Sequence, residues 1–156
     1  MPNVAQIYQN QCDQSYQRDG AHQAHLDLPL TAGQNEEFGD GLTRAVALLT
    51  DNTVTALKTS AGRLYEVVME SPAASTVGSF LQIFDATVAG TTLGTTGTVI
   101  TLFCAGGKTL SVRFYENAPA GNTIFATAIS YAVTTTARGS TASAAADRPT
   151  LKFMYA

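Results

Sequence analysis

The residues best equipped for chemistry lie in "HQAH", where His22 and His25 stand three apart with Cys12 upstream and Asp27 downstream. On a helix, His-x-x-His would bring two imidazoles to one point, and zinc takes nitrogen and sulfur ligands in a tetrahedral array. Gly20 and Pro29 interrupt the surroundings, and the third and fourth ligands lack paired spacing. The competing reading is a pair of polar side chains that hydrogen-bond to a neighbouring subunit. On that reading no metal and no cofactor is expected. Cys104 could act as a nucleophile only beside a base, and both histidines lie roughly 80 positions earlier. Its expected role is that of a small buried hydrophobe in a strand.

Other clusters fall short of the motifs they suggest. "NEEFGDG", residues 35–41, concentrates Glu36, Glu37 and Asp40 among glycines, yet it lacks the Asp-x-Asp-x-Asp-Gly spacing and closing Glu of a calcium loop. A solvated turn, or an ion-pair partner for a basic neighbour, is expected there. Adjacent Glu36 and Glu37 do not face one cleft from opposite sides, as glycoside hydrolysis requires. "AGGK", residues 105–108, is a fragment of a phosphate loop without the full Gly-x-x-x-x-Gly-Lys-Ser/Thr pattern. Two glycines at a hairpin tip account for it. Arg63 and Arg113 fall at strand positions, where they would pair across a subunit boundary or across strands; a cross-strand pair is worth less than ~1 kcal/mol. There is no Trp and no tyrosine cluster to stack a sugar. No complete catalytic motif is present, and the chain reads as a non-enzyme.

The elements that would position such residues are strands. From Val54 onward, "TALKTSAGRLYEVVMES" alternates, with Leu64, Val67 and Met69 as core positions. "FLQIFDATVAG" sets Leu81 and Ile83 against Phe80, Gln82 and Phe84 on opposite faces. "VITLFCAGGKTLSVRFYE" reads as two strands joined at Gly106-Gly107, and "TIFATAISYAVTT" and "PTLKFMYA" follow. Loops rich in Ser, Thr, Ala, Gly and Pro separate them. Strands punctuated in this way predict an all-β, antiparallel β-sandwich of jelly-roll-like form over residues 51–156. "GDGLTRAVALLTDNTVTAL" suits either a short helix, from Leu42, Val46 and Leu49, or two strands turning at Asp51-Asn52.

Residues 1–50 read as an extended N-terminal arm. They are rich in Gln and Asp, with Ile7, Tyr8, Tyr16, Leu26, Leu28 and Leu30 scattered without lasting period. Such a segment buries too little surface alone to offset its ordering entropy, so those six residues are the expected contacts with a partner. The arm holds six acids and two bases, a net −4, against six acids and seven bases, a net +1, in residues 51–156. Charged residues are only 13% of the chain, and the total of −3 offers no basic footprint for nucleic acid or anionic membrane. No apolar run reaches the ~18 residues that span a membrane, and the first residues lack the pattern of a signal peptide. Two cysteines, Cys12 and Cys104, suggest free thiols and assembly in a reducing cytoplasm.

Three stretches in order carry a family likeness: "TSAGRLYEVVMES…FLQIFDA", "VITLFCAGGKTLSVRFYE" and "IFATAISYAVTTTARGSTASAAADRPTLKFMYA". Over residues 54–156 the chain resembles small β-sandwich structural proteins of tailed bacteriophages, found as capsid decorations or on fibres and tails. The resemblance implies a virion protein assembled in the bacterial host cytoplasm, with the major capsid protein or another virion protein as partner. It also implies a homo-oligomer, with a trimer favoured. A capsid decoration or cement role is the first expectation. A tail or fibre location, and a host-surface glycan-binding module, are the alternatives. The likeness supplies no site residues.

Overall fold

The computed structural model describes residues 35–37, 42–48, 53–114 and 124–156. Ile7, Tyr8, Tyr16, Leu26, Leu28 and Leu30, together with His22, His25 and Cys12, lie outside them. Among the described residues ten strands follow in chain order: β1 (Asn35–Glu37), β2 (Thr43–Leu48), β3 (Thr55–Lys58), β4 (Gly62–Glu70), β5 (Ser79–Phe84), β6 (Ile100–Cys104), β7 (Thr109–Arg113), β8 (Ile124–Phe125), β9 (Ile129–Thr134) and β10 (Thr150–Tyr155). The back sheet has the order β1-β2-β10-β4-β7, with β8 also on β4; the front sheet has the order β3-β9-β5-β6.

Every pairing is antiparallel, and four of them join the two halves of the chain: β2 with β10, β3 with β9, β4 with β7, and β5 with β6. The chain is therefore one long ribbon with the β5–β6 connection at its tip, wrapped so that successive stretches alternate between two sheets. Eight of the strands, β2–β7, β9 and β10, thus follow a jelly-roll-like order within an antiparallel sandwich, a double-sheet solution to the edge-strand problem. The expected sandwich is present, but it starts earlier than residue 51. β1 and β2 fall inside the stretch read as an arm, and Glu36 stands opposite Arg44 in register rather than in a turn. The region after Gly41 resolves as strand, not helix, and β2 and β3 enter opposite sheets.

A further expectation is corrected by the same wrapping: Gly106-Gly107 is not a hairpin tip, because β6 pairs with β5 and β7 with β4. The 105–108 turn carries the chain from the front sheet to the back sheet, alongside the 71–78 connection that crosses with it. A Cβ on Gly106 would come within 2.7 Å of the backbone of residues 75–77, and Gly107 sits at φ +67°, so both positions demand glycine. Ser71 N–H donates to the Lys108 carbonyl at 3.0 Å, and Gly107 N–H donates to Ser71 Oγ at 3.2 Å.

The core lies between the sheets. Leu64, Val67, Met69, Leu151 and Phe153 come from the back sheet, and Leu81, Ile83, Ile129, Tyr131 and Val133 from the front. Leu64 and Val67 are three apart, which strict alternation would place on opposite faces. A bulge restores them to the same face: Tyr155 pairs with Leu64 while Met154 pairs with Glu66, leaving Tyr65 as the extra residue. On the outer side of the back sheet, Arg113 Nε meets Glu66 Oε1 at 3.1 Å and Lys152 Nζ meets Glu70 Oε1 at 2.6 Å. Arg113 thus pairs across strands within its own sheet. Arg63 is tied through its backbone, which exchanges hydrogen bonds of 2.8 and 2.9 Å with Ala156.

Asp85, just past β5, closes the ribbon's far end. Its carboxylate accepts from the N–H groups of Ala126, Thr127 and Ala128 at 3.0, 2.7 and 3.3 Å. Desolvation pushes its pKa up, but the three backbone donors together outweigh that and hold it below the ordinary carboxylate value. A depressed folded pKa adds stability above the unfolded value of about 3.9, and that contribution is lost as pH falls through the folded pKa. Asp85→Asn is therefore expected to cost about 1 kcal/mol at pH 7, an amount discounted for the group's exposure. The gap between wild type and variant should shrink below about pH 4. Urea unfolding at pH 7 and pH 3 checks this; a gap unchanged between the two would refute it.

Candidate functional site

The two sheets differ in what covers their outer faces. β9 turns Ile129, Tyr131 and Val133 to the core, yet Ser130, Ala132 and Thr134 on its other side are buried as well. The same holds for Gln82 and Phe84 of β5. The cover consists of two loops, 85–99 and 135–149, whose Thr, Ser, Ala and Gly side chains are small enough to lie flat on a sheet. Thr91 Oγ lies 3.3 Å from Ser130 Oγ, and Val99 N–H donates to the Ile83 carbonyl at 2.9 Å. Ser79 Oγ meets Ser143 Oγ at 2.9 Å, and Ser75 Oγ donates to Asp147 Oδ1 at 2.6 Å.

Gln82 is the central tie. Its Nε2 donates to Thr134 Oγ1 at 2.7 Å and to the carbonyls of Gly139 and Thr136 at 2.9 and 3.4 Å. A glutamine that is 1% exposed in the middle of a strand thus anchors the second loop. The two loops meet above it: an added Cβ on Gly94 would lie 3.8 Å from the Arg138 carbonyl. Between them sits a pocket of about 240 Å³, lined by Gln82, Gly94, Thr95, Thr96, Gly97, Thr98 and Arg138. Among the described residues its wall has no aromatic ring and no carboxylate.

The chemical candidates of the sequence are not gathered here. Cys104 is buried, and its thiol donates toward the carbonyl of Lys108 at 3.2 Å. Among the described residues no histidine is present to activate it, and no group of three or more His, Cys, Asp and Glu could hold a metal. Among the described residues no helix is long and apolar enough to cross a membrane. Sequence reasoning passed over Gln82 and Arg138. The signals were faint: one amide inside the apolar run "FLQIF", and one charge in "TTTARGSTASAAA".

A second feature lies on an edge of the front sheet that no strand among the described residues covers. β6 is its outermost strand, and there Phe103 is 51% exposed, with Val77 nearby in the chain's fold at 49%. The ring of Phe103 lies against Gly78, where an added Cβ would be only 2.4 Å from it, and its centroid is 4.8 Å from that of Phe80. Compared with family models, with curated proteins and with solved structures, the chain matches none.

Proposed function

We propose that this chain is a structural protein of a phage virion, a decoration protein that sits on the outer capsid surface and stabilises the shell. The observation that carries the reading is the β6 edge, unpaired on one side among the described residues and carrying the exposed Phe103, with Val77 exposed in the 71–78 connection, in a jelly-roll-like sandwich with few charges. An edge strand leaves a row of main-chain donors and acceptors unpaired, and soluble monomers usually blunt such edges with charge or proline. β6, "ITLFC", has neither. A protein that lives in a symmetric array covers that edge with a neighbouring copy or with the shell. The resemblance to phage structural proteins points the same way. Binding only to the assembled lattice would disfavour disassembly by mass action, so no catalytic site is required.

The test is co-sedimentation of the protein with tail-less capsid shells. The useful truncation removes residues 1–30, because β1 and β2 belong to the sandwich. Full-length protein should load the shell in many copies, and the truncated form should load weakly. Phe103→Ser should weaken loading by about 30-fold, the size of an interface hot spot, while leaving the unfolding midpoint nearly unchanged. If neither full-length protein nor truncation sediments with shells, the capsid reading fails in favour of the tail or fibre.

A further inference from the structure

We propose that the pocket over Gln82 binds an acidic sugar, a hydroxylated ring carrying one carboxylate. The proposal goes beyond the structural role and does not depend on it. Gln82 turns its amide nitrogen to the 134–139 loop, and no donor among the described residues reaches its Oε1. A buried acceptor left without a donor is rare in folded proteins and marks a place where a bound molecule or water completes the network. Here that acceptor belongs to a residue lining a pocket.

The rest of the wall is rich in donors. Thr96 Oγ accepts from Thr92 N–H at 2.9 Å, and Thr98 Oγ accepts from Thr101 Oγ at 3.0 Å, so both hydroxyl protons remain available. Thr95 contributes a third hydroxyl, and Arg138 contributes a guanidinium with no ion-pair partner among the described residues. Donors and one positive charge call for a ligand rich in acceptors and bearing an anion, which Arg recognises with paired N–H groups. The orphan Oε1 calls for at least one hydroxyl on that ligand. An acceptor-only anion fails the second requirement, and a neutral sugar leaves Arg138 unused. At about 240 Å³ the pocket is below the roughly 300–1,000 Å³ of drug-sized sites, so it suits one sugar unit rather than a chain. The absence of an aromatic platform from its wall means that hydroxyl contacts, not stacking, would hold the ring.

Titration of the isotope-labelled full chain by amide NMR tests this with glucuronate, glucose, acetate and inorganic phosphate as probes. Glucuronate should give saturable shifts at the Gln82 side-chain amide, at residues 94–98 and at Arg138. Glucose and acetate should each bind at least about tenfold more weakly, since each lacks one of the two required groups. Arg138→Gln, a change at an exposed position, should weaken glucuronate by about tenfold and leave the remaining spectrum in place. An oligosaccharide ending in glucuronate that binds as well as the free sugar would identify a glycan terminus as the source, and one that binds worse would identify the free acid. Absence of saturable shifts at Gln82 and residues 94–98 overturns the proposal. So does phosphate binding as tightly as glucuronate, or an Arg138→Gln variant that binds unchanged. Shell loading is read in a separate assay, so neither result decides the other.

Discussion

Phe153→Ala is expected to lower the stability of the sandwich by about 3–5 kcal/mol, the usual cost of deleting a fully buried phenylalanine. Phe153 is 1% exposed and lies in β10, between β2 and β4 in the back sheet. Its ring packs on Tyr131 of the front sheet at 4.8 Å and 45°, so one contact fastens the two layers together. The site cannot readily collapse when the ring is removed. Ala45 and Val67 flank Phe153 in register, and hydrogen bonds on both sides hold β10 in place. The size of the loss follows from that rigidity, because the cost of a cavity depends on how far its walls relax. Burial pushes the Tyr131 hydroxyl up to about 12, with a hydrogen bond to Thr55 opposing and Tyr155 adding to the rise, so the partner ring stays neutral at ordinary pH. Denaturant unfolding should show a lower midpoint with an unchanged slope. Phe153→Leu should recover most of the loss. A cost under about 1 kcal/mol would mean that the sheets are held by something other than this contact.

Much of this core was legible because large apolar residues announce themselves. Leu64, Val67 and Met69 are buried between the sheets as expected, while alternation in the next strand separated Leu81 and Ile83 from Phe80, Gln82 and Phe84 without saying which set faces the core. What the pattern could not show was the bulge at Tyr65 that lets Leu64 and Val67 share a face, since an extra residue leaves no compositional mark. β2 was ambiguous for a related reason. Its core-facing residues include Ala45 and Ala47, and alanine there makes room for Phe153 without favouring a strand. The Gly-Gly turn was recognised as a turn, but turn chemistry alone does not say whether the chain folds back in its own sheet or crosses to the other. Contact with residues 75–77 decides that, and such contact is non-local. The pocket was hidden most deeply. Its loops carry Ser, Thr, Ala and Gly without period, which reads as connection rather than as a second layer on a sheet.

The 134–139 part of that second layer is held by Gln82, and Gln82→Leu is the substitution that exposes the dependence. Leucine fills a similar volume but donates nothing, so the Gly139 carbonyl loses its Gln82 donor and Thr134 Oγ1 loses its 2.7 Å partner. Thr136 O keeps the bond from Thr134 Oγ1 at 2.7 Å, which limits the damage. The half-buried Gly139 carbonyl and the buried Thr134 hydroxyl each lose an incoming donor, at about 1–2 kcal/mol each, and removal of the orphan Oε1 offsets part of this, so the expected loss is about 1–3 kcal/mol. The loss should be local before it is global. Amide hydrogen exchange should quicken across residues 135–147, most of all around Gly139, because Thr134 bridges Ala142 and the serines Ser79 and Ser75 tie residues 143 and 147, and much less in β4 and β10. Uniform acceleration throughout the chain would instead show that Gln82 stabilises the sandwich as a whole. Unchanged exchange in residues 135–147 would show that the serine ties at Ser79 and Ser75 suffice. Because Arg138 rides on this loop, a loosened loop also shifts the one cation that lines the pocket among the described residues. The amide that closes the layer and the layer's capacity to hold a ligand are then one property of the fold, and a single variant should remove both.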